Sequence, residues 1–264
     1  MDKVISKDGT PIAFERTGNG PVLIFVDGAL CYRGSGQSAA VAKALAAHFT
    51  VVTYDRRGRG DSGNRGPYAV AREVEDLEAL IAAAGGSVFV YGVSSGAALA
   101  LEAATRAGGI ARLALFEAPF IVDDSRAPVP ADFVQQLDDA VAAGRRGDAV
   151  KLFMKQVGVP PAFLLLMRLM PAWPKLTAIA HTIAYDIRIM NGNQAGHPLP
   201  ASRWAGATMP ALVMDGGKSP VWMRNATRSL ATILPNAQYR TLPGQTHMIK
   251  AAAVVAPLVE FFKT

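Results

Sequence analysis

One short segment of the chain has the residue types and the spacing of a serine nucleophile. Gly92, Val93, Ser94, Ser95 and Gly96 form a G-x-S-x-G pentapeptide between an apolar run and a stretch rich in alanine and leucine. Small residues at both ends let the chain turn sharply from a strand into a helix, which holds the central serine in a strained conformation with a free hydroxyl. The pentapeptide alone is common, and the flanking strand and helix make it specific. Ser94 is therefore a candidate nucleophile.

The segments that must position Ser94 alternate between strand patterns and helix patterns. Short apolar runs predict buried, parallel strands at residues 22–26, 51–54, 88–91, 113–116 and 211–214, with a further strand at 238–242. Helical patterns occupy residues 38–47, 70–84, 95–107, 221–233 and 249–262, where Pro257 is expected to kink or divide the last helix. Residues 1–16 predict a hairpin. The pattern indicates an α/β fold with a mostly parallel central sheet flanked by helices.

The alternation breaks between about residues 120 and 204, where prolines separate several helical pieces. Ligands of an open parallel sheet bind beyond the carboxyl ends of its strands, and this insertion leaves from that edge after Phe116. We therefore divide the chain into a core of residues 1–119 and 205–264 and a helical cap of residues 120–204 that covers the site. Any single apolar residue of the cap is explained more simply by the cap's own packing, but together Phe163, Leu164, Met167 and Trp173 are expected to enclose an apolar pocket.

Composition and charge exclude several classes of protein. Of the 264 residues, 50% are hydrophobic and 18% are charged, which favours one large packed domain over a disordered chain. The net charge of +6 comes without basic clusters that alternate with aromatic residues, so a solvated surface explains it and no nucleic-acid partner is expected. Apolar runs are too short to span a bilayer, and the first residues do not resemble a secretory signal. Cys31 is the only cysteine, so no internal disulfide can form; we expect a cytoplasmic protein without a membrane partner.

The order and content of the motifs identify a family. The chain has Val26, Asp27, Gly28 and Ala29 after its first long strand, the sequence DRRGRGDS at residues 55–62, the serine pentapeptide, and GQTH at residues 244–247. In this it resembles, over essentially its whole length, the α/β-hydrolase superfamily members that carry a helical cap. The resemblance implies an α/β-hydrolase fold and a catalytic triad around the serine.

A serine hydroxyl needs a base because it is a poor nucleophile at its free pKa. The resemblance points to His247, since it places the loop after the last strand over the strand end that bears Ser94. The other histidines have simpler explanations: His48 ends a helix near the surface, and His181 and His197 lie in the cap.

The acid that orients this histidine departs from the common family pattern. Many relatives carry a Gly-x-x-Asp sequence after the penultimate strand, but the corresponding residues here run from Gly216 to Ser219, and a serine cannot replace a carboxylate. Two carboxylates could substitute. Glu117 ends the strand at 113–116, where some family members carry their acid, and Asp215 ends the strand before the altered loop. We favour Glu117 because its place in the chain and at a strand end both suit a triad, while Asp215 could instead bond the following glycine turn.

The oxyanion formed by nucleophilic attack needs two preorganised donors, which in this fold are backbone N–H groups. By position these are the N–H groups of Ala29 and Ser95. Asp27 replaces the histidine that is usual in the family, and we expect it to have a structural role in bonding N–H groups of the loop.

These residues lead to one main hypothesis and to alternatives. The main hypothesis is a serine hydrolase that cleaves an ester, thioester or lactone of a small, largely apolar acid through an acyl-enzyme. A hydrolase of carbon–carbon bonds or a perhydrolase would use the same triad, and a ligand-binding protein without turnover is the non-enzymatic alternative. No metal and no organic cofactor are expected, because no histidine or cysteine cluster has ligand spacing and no G-x-G-x-x-G opens the first unit. The serine at the elbow argues against dehalogenase or epoxide hydrolase chemistry, which in this superfamily uses an aspartate there.

Overall fold

The computed structural model describes residues 1–35 and 37–263. Within them, eight strands form one sheet in the order β1-β2-β4-β3-β5-β6-β7-β8. The antiparallel hairpin consists of β1 (Asp2–Ile5) and β2 (Pro11–Thr17), and β2 also pairs antiparallel with β4. The remaining strands run parallel to one another: β3 (Val22–Val26), β4 (Thr50–Tyr54), β5 (Val88–Val93), β6 (Ile110–Phe116), β7 (Ala211–Gly216) and β8 (Ala237–Leu242).

Helices cover both faces of the sheet, and a second group of helices forms the insertion. The flanking helices are α1 (Ser38–Leu45), α2 (Val70–Ala83), α3 (Ser95–Ala104), α9 (Val221–Ile233) and α10 (Ala251–Lys263). Between β6 and β7 lie α4 (Phe133–Ala142), α5 (Arg146–Gln156), α6 (Pro161–Met167), α7 (Trp173–Ala178) and α8 (Ile183–Met190), with 3-10 turns at Ala180–Thr182 and Ala201–Trp204. In the described part of the chain no helix is long and apolar enough to cross a membrane.

Alternation of side chains along the strands divides the core into two layers. Val88 and Val90 of β5 pack with apolar residues of α2 and α3, whereas Tyr91 and Val93 pack in the layer that includes α1 and α10. This follows from the two-residue period of a strand. Helix α3 is buried on every side, and its alanines allow close packing against the sheet and α8.

The predicted α/β fold is confirmed. Strand and helix positions agree with the sequence pattern to within a few residues at their ends. Pro257 does not divide the last helix, because α10 runs without interruption from Ala251 to Lys263.

The cap is joined to the core through α8. Ile183 and Ala184 at its start belong to the apolar cluster of the cap, whereas Ile189 and Met190 at its end belong to the core layer that includes α3. Leu30, from the loop after β3, is buried in the cap cluster. Cap and core therefore share packing through α8 and through the loop after β3.

Candidate active site

The serine pentapeptide forms the sharp turn between β5 and α3. Ser94 has a φ of 56° and a ψ of −128°, a strained conformation for a residue with a side chain. The glycines on both sides allow the backbones to approach closely. A Cβ atom on Gly92 would lie 2.6 Å from the carbonyl oxygen of Gly96, and one on Gly96 would lie 2.6 Å from the carbonyl oxygen of Asp27. A larger residue at position 92 would push the start of α3 away from β5, and one at position 96 would push it away from the end of β3.

Three of the predicted site residues meet at the carboxyl edge of the sheet. The Nε2 atom of His247 lies 3.2 Å from Ser94 Oγ, and its Nδ1 atom lies 2.8 Å from Glu117 Oε2. These residues follow β5, β6 and β8, and the carboxyl ends of parallel strands share one edge. The carboxylate is fully buried, whereas 29% of the His247 side chain is exposed.

The backbone of Glu117 explains how its side chain reaches the histidine. Glu117 has a φ of 47°, in the left-handed region that a residue with a side chain seldom adopts. Its Oε1 atom accepts a hydrogen bond of 2.7 Å from the N–H of Gly216 on β7. One carboxylate oxygen thus fixes the side chain to the neighbouring strand, and the other faces the imidazole.

The alternative acid, Asp215, is engaged elsewhere. It is fully buried, and its Oδ2 atom accepts a hydrogen bond of 2.6 Å from the hydroxyl of Tyr239. Its Oδ2 atom also lies 3.6 Å from Nε of Arg224. Among the described hydrogen bonds and ion pairs, none joins Asp215 to His247. Ser219 forms the turn after β7, and its amide donates to the carbonyl of Gly216.

On the other side of Ser94, the loop after β3 passes very close to the nucleophile. A Cβ atom on Gly28 would lie only 3.1 Å from Ser94 Cβ, and Ala29 follows directly. Ser95 is the first residue of α3, so its N–H has no acceptor within the helix. The structure thus places both predicted oxyanion donors in segments next to Ser94.

The side chain of Asp27 bonds the loop, as the sequence analysis expected. Its Oδ1 atom accepts from the N–H of Gly28 at 2.8 Å, and its Oδ2 atom accepts from Ser38 Oγ at 2.6 Å. Burial raises the pKa of the Asp27 carboxyl, although the bond from Ser38 acts in the opposite direction.

The arginines of the loop after β4 are buried, so a solvated surface does not explain this part of the basic charge. Arg56, Arg57 and Arg59 are 2%, 1% and 1% exposed, and each pairs with buried carboxylates. Sequence reasoning also missed Asp186 of α8, which pairs with both Arg56 and Arg59. For Arg56 and Arg57 a signal was available, because Glu73 and Asp76 stand on the buried face of α2 and bond these two arginines. The sequence held no comparable signal for Asp186.

Among the described hydrogen bonds, none joins the other three histidines to Ser94. His48 lies next to Lys263, His197 is exposed, and His181 meets the ring of Tyr185 edge-on. In the described residues no group of three or more His, Cys, Asp or Glu side chains could hold a metal ion.

The four cap residues expected to enclose an apolar pocket differ in how deeply they are buried. Met167 is buried in the cap cluster, Leu164 and Trp173 pack against that cluster, and Phe163 is 48% exposed on α6. A cavity of about 580 Å³ lies between the loops after β3 and β4 and the cap helix α7. It is lined by residues that include Arg33, Asp61 and Lys175.

Comparison with known proteins agrees with this architecture. A sequence profile described as the alpha/beta hydrolase family matches residues 20–260. The crystal structure of an alpha/beta hydrolase from Sphaerobacter thermophilus is 53% identical, with a TM-score of 0.90 over 99% of this chain and 100% of that chain.

More distant structures share the fold. A thermophilic esterase from Thermogutta terrifontis is 20% identical, with a TM-score of 0.72 over 99% of this chain and 97% of that one. An enol-lactonase from Burkholderia xenovorans is 21% identical, with a TM-score of 0.71 over the full length of both chains. The profile match and the close structural relative show that this chain belongs to the alpha/beta hydrolase family.

Proposed function

We propose that the protein is a serine hydrolase that forms an acyl-enzyme on Ser94. The observation that carries this proposal is the hydrogen-bonded chain from Glu117 through His247 to Ser94 Oγ, with the serine held on a strained turn. A nucleophile, a base within reach of it and an acid that orients the base are the three parts of a catalytic triad.

The geometry gives each atom a role in acyl transfer. Ser94 Oγ attacks the substrate carbonyl while its proton moves to His247 Nε2, and the Glu117 carboxylate stabilises the imidazolium through Nδ1–H. The negative oxygen of the tetrahedral intermediate is stabilised by the N–H groups of Ala29 and Ser95. Nε2 then donates its proton to the leaving group. Water, activated by the same histidine, releases the acid from Ser94.

We propose an ester, thioester or lactone of a small, largely apolar acid as the substrate. Two structures that share the fold are an esterase and an enol-lactonase, which is consistent with cleavage of an ester or lactone bond. Leu30, next to the proposed donor Ala29, is buried among apolar residues of the cap. We take this apolar packing next to Ala29 as support for an uncharged acyl group, since burying an unpaired charge is unfavourable.

The test is labelling with a fluorophosphonate, followed by mapping of the adduct by mass spectrometry. We expect the adduct on Ser94 and slow turnover of p-nitrophenyl acetate or butyrate. Ser94→Ala should remove the adduct and lower kcat by about three orders of magnitude or more while the fold persists. Ser219→Ala is the control, because Ser219 is a buried serine in a turn outside the hydrogen-bonded chain. An unlabelled wild type would favour a ligand-binding protein without turnover, and near wild-type rates in Ser94→Ala would reject the nucleophile.

A further inference from the structure

The peptide unit between Gly28 and Ala29 is held by a buried arginine. Arg59 Nη1 donates a hydrogen bond of 2.7 Å to the carbonyl oxygen of Gly28, and it also lies 3.2 Å from the carbonyl oxygen of Cys31. The Gly28 carbonyl and the Ala29 N–H belong to the same planar, trans peptide and point in opposite directions. An arginine that fixes the carbonyl therefore fixes the direction of the N–H. A charged donor on the carbonyl also polarises the amide and strengthens its N–H as a donor.

Arg59 is in turn held by the cap. Its Nη2 atom donates to Asp186 Oδ2 at 2.7 Å, and its Nε atom donates to Thr182 Oγ1 at 3.1 Å. Asp186 lies on α8, and Thr182 belongs to the 3-10 turn before it, so both come from the insertion. All three side chains are almost completely buried, and a buried guanidinium needs every one of these partners.

The same carboxylate reaches the second proposed donor segment. Asp186 Oδ1 accepts a hydrogen bond of 2.8 Å from Ser95 Oγ and one of 2.7 Å from Arg56 Nη1. Arg56 is itself fixed by Glu73 through two hydrogen bonds of 2.7 and 2.9 Å. One cap residue is thus bonded to the side chain of Ser95 and, through Arg59, to the peptide of Ala29.

We propose that Asp186 is a positioning residue through which the cap sets the geometry of the oxyanion hole, with Arg59 as the connecting group. This deepens the proposed function and rests on it. The cap then has a role in the chemical step and not only in covering the site. The two N–H donors are proposed to stabilise the transition state. Moving either donor by a few tenths of an ångström should therefore affect kcat more than KM.

Asp76 provides a matched control for Asp186. It is also a buried aspartate that pairs with a buried arginine, with bonds of 2.8 and 2.6 Å from Arg57. Asp76 lies on α2, however, and the other described bonds of Arg57 go to Asp8 and Arg72 and not to the loop after β3. Asp186→Asn and Asp76→Asn both replace a buried carboxyl group with an amide of nearly the same shape, so both alter a buried ion pair. Only the former disturbs the loop beside Ser94.

The experiment compares kcat, KM and the Ki of a phenylboronic acid for the wild type and both variants, at a temperature where circular dichroism shows all of them folded. The boronic acid forms a tetrahedral adduct on serine and so reports the oxyanion hole. We expect Asp186→Asn to lower kcat about 10- to 100-fold and to raise Ki by a similar factor, with KM changed less than about threefold. Asp76→Asn should change each constant less than about threefold. Equal losses in both variants, or an unchanged Ki, would overturn the proposal.

A catalysis-independent measurement separates failure of the inference from failure of the proposed function. The Ala29 and Ser95 amide signals in an ¹⁵N spectrum should shift more in Asp186→Asn than in Asp76→Asn. If the wild type hydrolyses no ester and takes no label, the proposed function is wrong and these shifts alone decide the positioning role.

A milder pair of variants covers the case in which Asp186→Asn does not fold. Thr182→Val removes one acceptor from Arg59, and Thr227→Val removes a buried threonine hydroxyl on α9 that bonds only the local carbonyl of Met223. Thr182→Val should shift the Ala29 amide and lower kcat severalfold, whereas Thr227→Val should do neither. If these two variants give the same Ala29 amide shift and the same kcat, the proposed role of the cap is rejected.

Discussion

The two sides of Ser94 are held in different ways. On the side proposed for proton transfer (the proton-transfer side), His247 has one carboxylate partner and a partly exposed ring. On the side proposed to bind the oxyanion (the oxyanion side), the loop after β3 is fixed by buried charges from the core and from the cap, through Arg59 and Asp186. The difference has a chemical reason. A base must gain and lose a proton in each cycle, whereas backbone N–H donors do not change and act best when they are held rigidly.

The largest effect is expected on the proton-transfer side. Glu117→Gln preserves the size of the side chain but removes the charge that stabilises the imidazolium. It should therefore lower kcat by about two to four orders of magnitude. The measurement is kcat on an activated ester, with fluorophosphonate labelling of Ser94 slowed in parallel.

Asp215→Asn is the matched control for that change. Both carboxylates end neighbouring parallel strands and are buried, but Asp215 is bonded to Tyr239 and not to the histidine. We expect its kcat to stay within about tenfold of the wild type. If Asp215→Asn is the more damaging variant, the acid has been assigned to the wrong strand.

A smaller effect is expected on the oxyanion side from Gly28→Ala. The added methyl would lie 3.1 Å from Ser94 Cβ, so the loop must move by a few tenths of an ångström. Such a shift should lower kcat about tenfold and leave KM nearly unchanged, because the Ala29 donor and Ser94 are both proposed to act in the chemical step. Gly108→Ala is the control, since a Cβ there meets no atom within 4 Å. Equal kcat values for the two variants would show that the loop tolerates the displacement.

The smallest effect is a difference in how stability depends on pH. Burial alone would raise the pKa of Asp186, but Arg59 and Arg56 hold it below its usual range. Its ionised form therefore contributes stability above the unfolded pKa of about 3.9, and that contribution is lost as the pH falls below it. The gap in urea midpoint between wild type and Asp186→Asn should narrow as the pH falls from 5 towards 3.

Asp76 should show the opposite trend. Burial raises its pKa to about 6 in spite of Arg57. Its contribution is then fully present below the unfolded pKa and is lost as the pH rises through about 6. The gap between wild type and Asp76→Asn should narrow towards neutral pH, and parallel trends in the two variants would show that the two carboxylates are held alike.

The sequence was most informative where local patterns decide the structure. Runs of β-branched and aromatic residues predicted the strands, and helical periodicity predicted the helices that cover them. Burial of one or both faces of an element fixes the spacing of its apolar residues along the sequence. The pentapeptide around Ser94 predicted its own turn, since only small residues fit at positions 92 and 96. The order of the motifs led to Glu117 and His247 as candidates, and their catalytic roles stay predictions.

The burial and the partners of the charged residues could not be predicted from local sequence patterns. Arg56 and Arg59 resemble solvated loop residues in the sequence, because their partners stand far away in the chain. Asp186 follows Arg56 by 130 positions, and nothing in the pattern of α8 connects the two. For the same reason the sequence alone left Glu117 and Asp215 as alternatives for the acid.

By itself, the sequence determined the elements, their order and the identity of the candidate nucleophile, because these depend on side chains that are neighbours in the chain. Only the tertiary structure decided which carboxylate faces His247 and how the cap is bonded to the loop beside Ser94. Those contacts depend on the direction of individual side chains, such as that of Glu117 on its left-handed backbone, and on the meeting of distant segments. A buried ion pair is stable only when geometry brings both charges together, and geometry of that kind is a property of the folded chain.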